Sequence, residues 1–414
     1  ALRAGLDEPR RAARPVREWS YVVTGGHPRL ARTVRQRAQS DSRLDRTDFD
    51  RTVPVVLCID CEPDPRMVDP SDPPPLDGYR RVQEFFETWR EQTCERTDAP
   101  VHLNWFFRMD PQIAMTYGSA GVFVEQHHAF IDRARTAGDG LGVHPHAWRW
   151  DDTCGGWVGD LANRDFVLES LETAVETFRS TVGHTPELLR YGDAYLDDAI
   201  VDAAEHAGIR YDLTLEPGQP ARPVPETAEG EVATAWLPDW RRVPRVPYSP
   251  ARDDYRRPSA DPTRSIRLVP LSSGPRWLGS SLRARARAVH TNGRDGWRQR
   301  DPLYMALPYW TTPNTFGEML RRTLAVQDHP YLAFAIRTDW ALRLDHRQNI
   351  ERCLDALLRE QGRRQLVFST PAEACKVLGH VASGPPVGQV EHTALPHRPK
   401  STERAPRSAR TGGR

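Results

Sequence analysis

The alternation of short apolar runs with amphipathic helical patterns is the feature that most limits how this chain can fold. Runs of strand length predict strands, and the stretches between them have the apolar periodicity of helices. Such alternation is typical of a parallel sheet covered by helices, and the strand count suits a closed or nearly closed barrel. The predicted strands are 53–59, 101–107, 140–146, 188–191, 209–213, 266–270, 331–337 and 365–369, and the predicted helices are 76–93, 122–137, 165–182, 196–207, 315–327 and 348–361.

The two ends of the chain differ in composition from this alternating region. Residues 1–50 mix Arg, Asp and Ser around one helical stretch at 28–39, and they predict a peripheral N-terminal arm. Residues 382–414 are rich in Pro, Gly, Ser and Arg, so burial cannot offset the entropy of ordering them, and we expect a disordered tail. The barrel is therefore expected over residues 51–381. Within it, a Pro- and Arg-rich stretch at 219–262 predicts a long surface excursion.

The charge balance gives no indication of a strongly charged partner such as nucleic acid or an anionic membrane. The 57 basic and 56 acidic residues leave a net charge of +1, which gives no footprint for nucleic acid or an anionic membrane. The sequence has no apolar run of about 18 residues that would span a membrane. The Arg-rich start has no apolar core typical of a secretory signal. We therefore expect a cytoplasmic protein, although export would fit if the natural chain begins further upstream.

The six cysteines have no regular spacing and predict reduced thiols rather than a disulfide scaffold. Cys58 and Cys61 form a C-x-x-C pattern, but no second pair follows at the distance of a zinc ribbon. Because Cys58 lies inside an apolar strand, we interpret both as small residues of a buried strand.

Two carboxylates follow the first predicted strand. Asp60 and Glu62 are two residues apart, which in extended chain projects both side chains to the same side. In barrels of this type the chemistry collects where strands end and loops begin. The pair is a candidate acid site, and a solvated loop with helix caps is the alternative.

Two histidines follow the third predicted strand with the same spacing. His144 and His146 can converge on one point, and neutral imidazole is the usual nitrogen ligand of zinc. Without a third ligand nearby, the two histidines could simply be packed core residues. Combined with Glu62 or Asp60, it supplies two imidazoles and a carboxylate, the ligand set of a hydrolytic metal site.

The next predicted strand ends in Arg190, with Asp193 shortly after it. At the mouth of the same barrel, the arginine could hold a carboxylate in one orientation by paired hydrogen bonds. An ordinary ion pair is the alternative interpretation.

These motifs resemble those of the polysaccharide deacetylases of the NodB-homology type, carbohydrate esterase family 4. The resemblance covers about residues 53–376 and includes three motifs in order. The opening acidic motif is similar to residues 59–62, the Gly-x-His motif to residues 142–144, and the Arg-containing motif to residues 190–192. The implied fold is a distorted (β/α) barrel of about seven strands.

The resemblance also implies an activity and a role for each motif residue. It implies a hydrolase that removes an acyl group, such as acetyl, from an amide nitrogen of a glycan or amino sugar. A divalent metal, expected to be Zn²⁺, would be held by Glu62, His144 and His146. Asp60 would be the general base, tethered by Arg190.

Two departures from the family pattern leave parts of this site open. The family's second histidine usually comes four residues after the first, where this chain has Trp148, so we assign the metal role to His146 from strand geometry. The late family histidine that protonates the leaving amine is replaced by Arg337, Thr338 and Asp339. Asp193 and Asp339 are then the candidate acids, and we favour Asp193 because its neighbour Arg190 belongs to the pocket.

Aromatic residues near the strand ends could stack on sugar faces, or equally well form core and pocket wall. We predict substrate contacts for Trp105, Trp148 and Tyr191, and an oxyanion-binding backbone N–H at Tyr191. The wider set also includes Phe107, Trp150, Trp157, Trp310 and Trp340.

Two other functions stay open at this level. The altered motifs could mark a non-catalytic glycan-binding domain, or the same fold could hydrolyse a small cyclic amide or ureide. Metal binding together with hydrolysis would distinguish an enzyme from the non-catalytic domain. A substrate panel would distinguish a glycan deacetylase from a hydrolase of small cyclic amides or ureides. The sequence does not indicate an oligomeric state.

Overall fold

The structure is a computed structural model that describes residues 52–64, 69–153, 155–223, 232–233, 235–261, 263–274, 303–304, 306–307, 312–326, 330–339, 343–361 and 364–381. The predicted N-terminal arm with its helix at 28–39, the predicted tail at 382–414, Trp310 and Trp340 lie outside these residues.

Within the described ranges, strands and helices alternate along most of the chain. The strands are β1 (Thr52–Cys61), β2 (Asn104–Phe107), β3 (Gly140–Val143), β4 (Trp148–Asp151), β5 (Gly156–Gly159), β6 (Leu188–Leu189), β7 (Tyr211–Asp212), β8 (Arg222–Pro223), β9 (Val232–Ala233), β10 (Trp236–Leu237), β11 (Arg267–Leu268), β12 (Ser273–Gly274), β13 (Leu303–Tyr304), β14 (Ala306–Leu307), β15 (Leu332–Arg337) and β16 (Gln365–Phe368). The helices are α1 (Asp77–Thr97), α2 (Pro111–Tyr117), α3 (Val122–Glu125), α4 (His128–Thr136), α5 (Arg164–Val182), α6 (Asp198–His206), α7 (Pro313–Val326), α8 (Leu344–Glu360) and α9 (Pro371–Val381).

One parallel sheet organises the fold. Its order is β11-β7-β6-β3-β2-β1-β15-β14, and β16 pairs with the first residues of β1. Every pairing in this sheet is parallel. The predicted α/β fold is therefore confirmed, and the described part of the sheet has nine strands when its short strands are included.

The sheet curves into a distorted barrel. Beyond β11 the chain continues to Ser272, whose backbone N–H donates to the Ala333 carbonyl of β15 at 3.0 Å. The Ser272 hydroxyl accepts the Ala333 N–H at 2.9 Å. These hydrogen bonds connect the β11 end of the sheet to β15, which lies beyond β1 in the strand order.

Strand alternation divides the apolar residues between two clusters. Leu57 and Ile59 of β1 pack with the surrounding helices, whereas Val56 and Cys58 pack in the barrel interior with Phe106 of β2. Because side chains alternate along a strand, the next inward position of β1 is Asp60. Inward-facing residues at the carboxyl ends of the strands therefore point toward one place inside the barrel.

The C-x-x-C cysteines lie on opposite faces of β1. Cys58 belongs to the interior cluster and Cys61 to the helix-side cluster, and both are free and buried. Burial raises the pKa of both thiols. Their geometry fits the interpretation as small residues of a buried strand.

Local capping explains why the long helix α5 begins and ends close to its predicted bounds. The Asn163 side chain accepts the N–H of Phe166 at the first turn. Gly183 closes the last turn with a positive φ of 89°, a conformation that glycine adopts without steric cost.

Three of the departures from the sequence predictions affect long stretches of the chain. The helix predicted at 122–137 is two helices, α3 and α4, because His127 adopts non-helical dihedrals. The antiparallel hairpin of β4 and β5 was not predicted, since it interrupts the strand–helix alternation. The stretch predicted as a surface excursion is partly buried: Trp240 donates to the Tyr255 hydroxyl at 2.8 Å, and both rings join the helix-side core.

No helix among the described residues is long and apolar enough to cross a membrane.

Candidate metal centre

Three buried side chains converge at the carboxyl ends of β1 and β3. Glu62 Oε1 lies 3.4 Å from His144 Nε2 and 3.4 Å from His146 Nε2. The two Nε2 atoms are 3.2 Å apart. The residues predicted as metal ligands therefore form a compact triangle of possible ligand atoms.

Hydrogen bonds set which nitrogen of each imidazole faces this point. His144 Nδ1 bonds the carbonyl of Arg190, which can only accept, so Nδ1 carries the proton. His146 Nδ1 lies 2.9 Å from the Asp193 carboxylate. In the neutral rings, both Nε2 atoms then present lone pairs to the centre, the arrangement that metal-binding histidines use.

The size of the triangle fits a small divalent cation. A tetrahedral zinc site has ligand distances of about 2.0–2.1 Å, which requires ligand atoms about 3.3–3.4 Å from one another. The three distances of 3.2, 3.4 and 3.4 Å agree with that requirement. Two lone pairs facing each other without a cation would repel, so the donor set and its spacing suit a metal.

Glu62 is held by both its backbone and its carboxylate. Thr338 accepts the Glu62 N–H at 2.8 Å and donates to the Glu62 carbonyl at 3.0 Å. Arg108 Nη1 donates to Oε2 at 2.7 Å, so Oε1 faces the histidines. Burial alone raises the pKa of the Glu62 carboxyl, but the Arg108 and Arg337 guanidiniums help to hold it well below its usual range. Glu62 is thus kept as an anion.

Arg108 and Asp110 are site residues that the sequence analysis missed. The Arg108 side chain is fully buried and donates through Nε to Asp110. Asp110 also accepts the backbone N–H of His146 at 3.0 Å and caps α2 through the N–H of Ile113. One ion pair thus contacts two of the three candidate ligands. Strand alternation could have indicated Arg108, which lies two positions after Phe106.

Asp60 lies beside the triangle but outside it. Its Oδ2 is 3.9 Å from His144 Nε2. Arg190 Nε donates to both carboxylate oxygens, at 2.9 and 3.0 Å, and Arg190 Nη1 donates to the Leu213 carbonyl at 2.9 Å. Arg190 therefore holds the Asp60 carboxylate in one orientation, in the geometry predicted for a tethered base.

Asp193 lies at the predicted cluster and contacts His146. Its Oδ2 accepts from Trp148 Nε1 at 2.8 Å and contacts His146 Nδ1 at 2.9 Å. A carboxylate in this position orients the imidazole rather than meeting a leaving group. These contacts favour a positioning role for Asp193, and its role as general acid stays a prediction.

The turn that presents Asp193 requires unusual backbone. Asp193 has φ 54°, ψ 17°, in the left-handed region that Asp tolerates better than most residues. At the preceding Gly192, a Cβ atom would lie 2.3 Å from the His146 ring. Only glycine lets the backbone pass this close to the imidazole.

Two of the predicted substrate contacts belong to the core. Trp105 Nε1 donates to Asp139 at 2.9 Å, and its ring packs edge-on against Phe86 and Phe130 on the helix side of the sheet. This placement argues against a substrate contact for Trp105. Tyr191 is buried, with its hydroxyl donating to the Val167 carbonyl at 2.9 Å.

The predicted oxyanion donor at Tyr191 is also corrected. The backbone N–H of Tyr191 already donates to Thr214 Oγ1 at 2.8 Å. Thr214 in turn donates to the buried carboxylate of Asp212 at 3.1 Å. The Tyr191 N–H therefore stabilises the strand ends instead of facing the site.

Arg337 and Asp339 form a pair at the end of β15. Arg337 donates to both Asp339 oxygens, at 3.1 and 2.6 Å. Arg337 Nε lies 3.9 Å from Glu62 Oε1. The second candidate acid, Asp339, is thus an ion-pair partner of an arginine at the site.

The remaining aromatic candidates in the described ranges pack in the core or in the hairpin of β4 and β5. Phe107 belongs to the helix-side core. Trp150 and Trp157 stack edge-on across the hairpin with ring centroids 5.3 Å apart.

Comparisons with known proteins found no matching family model and no matching curated protein. Similar solved structures include a provisionally named glycoside hydrolase/deacetylase from Parabacteroides distasonis, with 13% identity, 80% and 71% of the two chains covered, and a TM-score of 0.46. A provisionally named polysaccharide deacetylase from Mycobacterium smegmatis has 14% identity, covers 84% and 96%, and has a TM-score of 0.41. The PuuE allantoinase has 11% identity, covers 81% and 91%, and has a TM-score of 0.41.

Several of the similar structures are thus named, in part provisionally, polysaccharide deacetylases, the family that the sequence motifs resemble. One is described as a pseudoenzyme of that family with restored activity. With identities of 8–14% and TM-scores below 0.5, these likenesses support no conclusion about activity.

Proposed function

We propose that this protein is a metal-dependent hydrolase that removes an acyl group, such as acetyl, from an amide nitrogen of a glycan or amino sugar. The observation that supports it best is the triangle of Glu62 Oε1, His144 Nε2 and His146 Nε2 with a tethered carboxylate beside it. A ligand triangle alone could serve a structural metal. A carboxylate held next to it, outside the ligand set, is what a hydrolytic site requires.

Glu62, His144 and His146 would hold the metal, each through one atom. Two imidazoles and one carboxylate are the ligand set of several catalytic zinc sites, which leave a position open for water. Zn²⁺ is therefore the expected ion. When bound, such a cation acidifies an adjacent water molecule and polarises the substrate carbonyl.

Asp60 would act as the general base. Its Oδ2 lies 3.9 Å from His144 Nε2, near enough to reach a water molecule at the open side of the triangle without being a ligand. Arg190 keeps the carboxylate aimed by donating to both of its oxygens. Asp60 can return the proton to the leaving nitrogen, because Asp193 and Asp339 are engaged with His146 and Arg337.

The depth of the site favours one alternative within the hydrolase class. The four side chains Asp60, Glu62, His144 and His146 are all buried. Residues this deeply buried would suit a small cyclic amide or ureide. Of a glycan, only the acyl group would reach them. The two substrate classes need a direct comparison.

One experiment tests the proposal. Purified protein is analysed for bound metal and then assayed on a panel of N-acetylated sugars, chitin and peptidoglycan fragments, and small cyclic amides and ureides. Hydrolysis of the N-acetylated sugars or fragments that disappears on chelation and returns with Zn²⁺ supports the proposal, whereas hydrolysis of the cyclic amides or ureides alone would favour the small-molecule alternative. Stoichiometric metal without hydrolysis of any panel member would favour a non-catalytic binding domain, and no metal binding would contradict the proposal.

A further inference from the structure

The side chains around the candidate metal centre differ in their access to solvent. Glu62 and His146 are 1% and 2% exposed, whereas Asp193 is 11%, Asp339 13% and Arg337 23% exposed. Arg337 and Asp339 are the more accessible side chains beside Glu62 and form the rim of the site, whereas Asp193 lies behind His146. Arg337 is the cationic member of this rim and the most exposed of the five.

Arg337 is held in a fixed place at that rim. It is the last residue of β15 and lies in register with Asp60 on β1. Asp339 accepts two hydrogen bonds from its guanidinium, at 3.1 and 2.6 Å, which limits rotation of the group. Arg337 Nε is 3.9 Å from Glu62 Oε1, one of the three atoms of the triangle. A molecule bound beside Glu62 Oε1 would therefore meet a fixed guanidinium.

Filling the triangle would offset the negative charge of Glu62 beside Arg337. Arginine stays protonated in proteins, so it cannot supply a proton, but it attracts anions. Asp339 is paired with Arg337 through Nε and Nη2, and Glu62 Oε1 lies 3.9 Å from Nε. With a divalent cation on Glu62, the cation and Arg337 would together attract an incoming anion.

The geometry points to Arg337 as the residue that binds the carboxylate formed from the acyl group. This inference rests on the proposed function. In that reaction the oxygen of water bonds to the acyl carbon and the carbon–nitrogen bond breaks. One water proton reaches the nitrogen through Asp60, and the acid ionises to leave a carboxylate and a protonated amine. Arg337 would contact the oxygen that carries negative charge, first in the transition state and then in the product.

The test measures anion binding without turnover. Co²⁺ replaces Zn²⁺ as a visible probe, and the cobalt-loaded protein is titrated with sodium acetate at constant ionic strength while its absorption spectrum is recorded. Arg337→Met should weaken acetate binding by roughly tenfold to a hundredfold, the effect of losing a charged hydrogen-bond partner. Arg337→Lys should lie between, since it keeps the charge and loses the fork.

The chain offers a matched control. Arg343 and Asp345 form the same Arg-x-Asp pair on the surface, with an Nη2–Oδ2 distance of 3.2 Å, and are 67% and 64% exposed. Arg343→Met should bind cobalt and acetate as the unmodified protein does.

Three results would overturn the inference while leaving the proposed function intact. These are equal acetate affinity in Arg337→Met and the unmodified protein, no acetate effect on the unmodified cobalt protein, and loss of cobalt from Arg337→Met. The last would show that Arg337 supports the ligands rather than an anion. Failure of the unmodified protein to bind cobalt would instead contradict the proposed function.

Discussion

Asp193 Oδ2 lies 2.9 Å from His146 Nδ1, on the side of the imidazole that faces away from Glu62 and His144. The indole of Trp148 donates to the same oxygen at 2.8 Å. Trp148 stands where the family that the motifs resemble usually has its second histidine. In this chain the histidine is at position 146, and the tryptophan contacts the same carboxylate as that histidine.

The first prediction concerns the ligand triangle. His144→Ala should lower affinity for Zn²⁺ by more than the ~10–100-fold that loss of a supporting partner costs, because one of three ligand atoms disappears. Calorimetric titration with Zn²⁺ would measure this. The exposed His184, whose Nδ1 contacts the carbonyl of Thr185, provides the control: His184→Ala should bind zinc normally. Equal affinity in both variants would rule out the triangle as the metal centre.

The second prediction separates the base from the ligands. Asp60→Asn should keep its zinc, because Asp60 lies outside the triangle, and should lose turnover by roughly 10² or more. Metal content and kcat on the best substrate of the panel are the measurements. Loss of zinc in Asp60→Asn would mean that Asp60 is a ligand.

The third prediction tests the orienting role of Asp193. Asp193→Asn and Trp148→Phe should each weaken zinc binding, with Asp193→Asn the larger effect at about 10–100-fold. A general acid would behave differently, since its loss would lower kcat and leave metal affinity unchanged. Parallel measurement of zinc affinity and kcat in both variants therefore distinguishes the two roles.

The fourth prediction concerns the close approach of Gly192 to His146. A Cβ at position 192 would lie 2.3 Å from the imidazole, so Gly192→Ala should displace the ring and weaken zinc binding by at least about tenfold. In α9, a Cβ on Gly379 would meet nothing within 4 Å. Gly379→Ala should thus bind zinc normally and melt at the same temperature or higher. Normal zinc affinity in Gly192→Ala would show that the turn can adjust.

The fifth prediction concerns pH and the buried carboxyl of Asp212. Burial raises its pKa to about 7, although the Thr214 hydrogen bonds and Arg190 oppose the shift. The folded state therefore binds more protons than the unfolded state between about pH 4 and pH 7. The stability contributed by Asp212 is fully present below about pH 4 and is lost as pH rises toward 7, by at most about 4 kcal/mol.

Asp212→Asn should remove this pH dependence. Urea unfolding at pH 5 and pH 8 would measure the free energy of unfolding of the unmodified protein and of the variant. Between pH 5 and pH 8 the unmodified protein should lose more stability than Asp212→Asn does. A constant difference would show that Asp212 does not titrate in this range.

Local sequence pattern was sufficient to predict the alternating architecture and most of the convergent residues. The apolar run of β1 predicts its own burial, and the two-residue spacing of Asp60 and Glu62 places both on the inward side, since side chains alternate along a strand. The same spacing applies to His144 and His146. These conclusions need no information from distant parts of the chain.

The partners of these residues depend on tertiary structure. The contact of Arg108 with Glu62 joins positions 46 residues apart, and that of Thr338 with Glu62 joins positions 276 apart. No local pattern indicates which buried arginine faces which carboxylate, because the order of strands in the sheet decides it. Asp193 shows the same limit: its left-handed backbone and its position behind His146 determine its role, although its residue type alone suggested an acid.

Local periodicity therefore determined which residues point into the barrel at its carboxyl end. Only the folded sheet decided which of them meet, because hydrogen bonds and charge act over a few ångströms of space and not over distance along the chain.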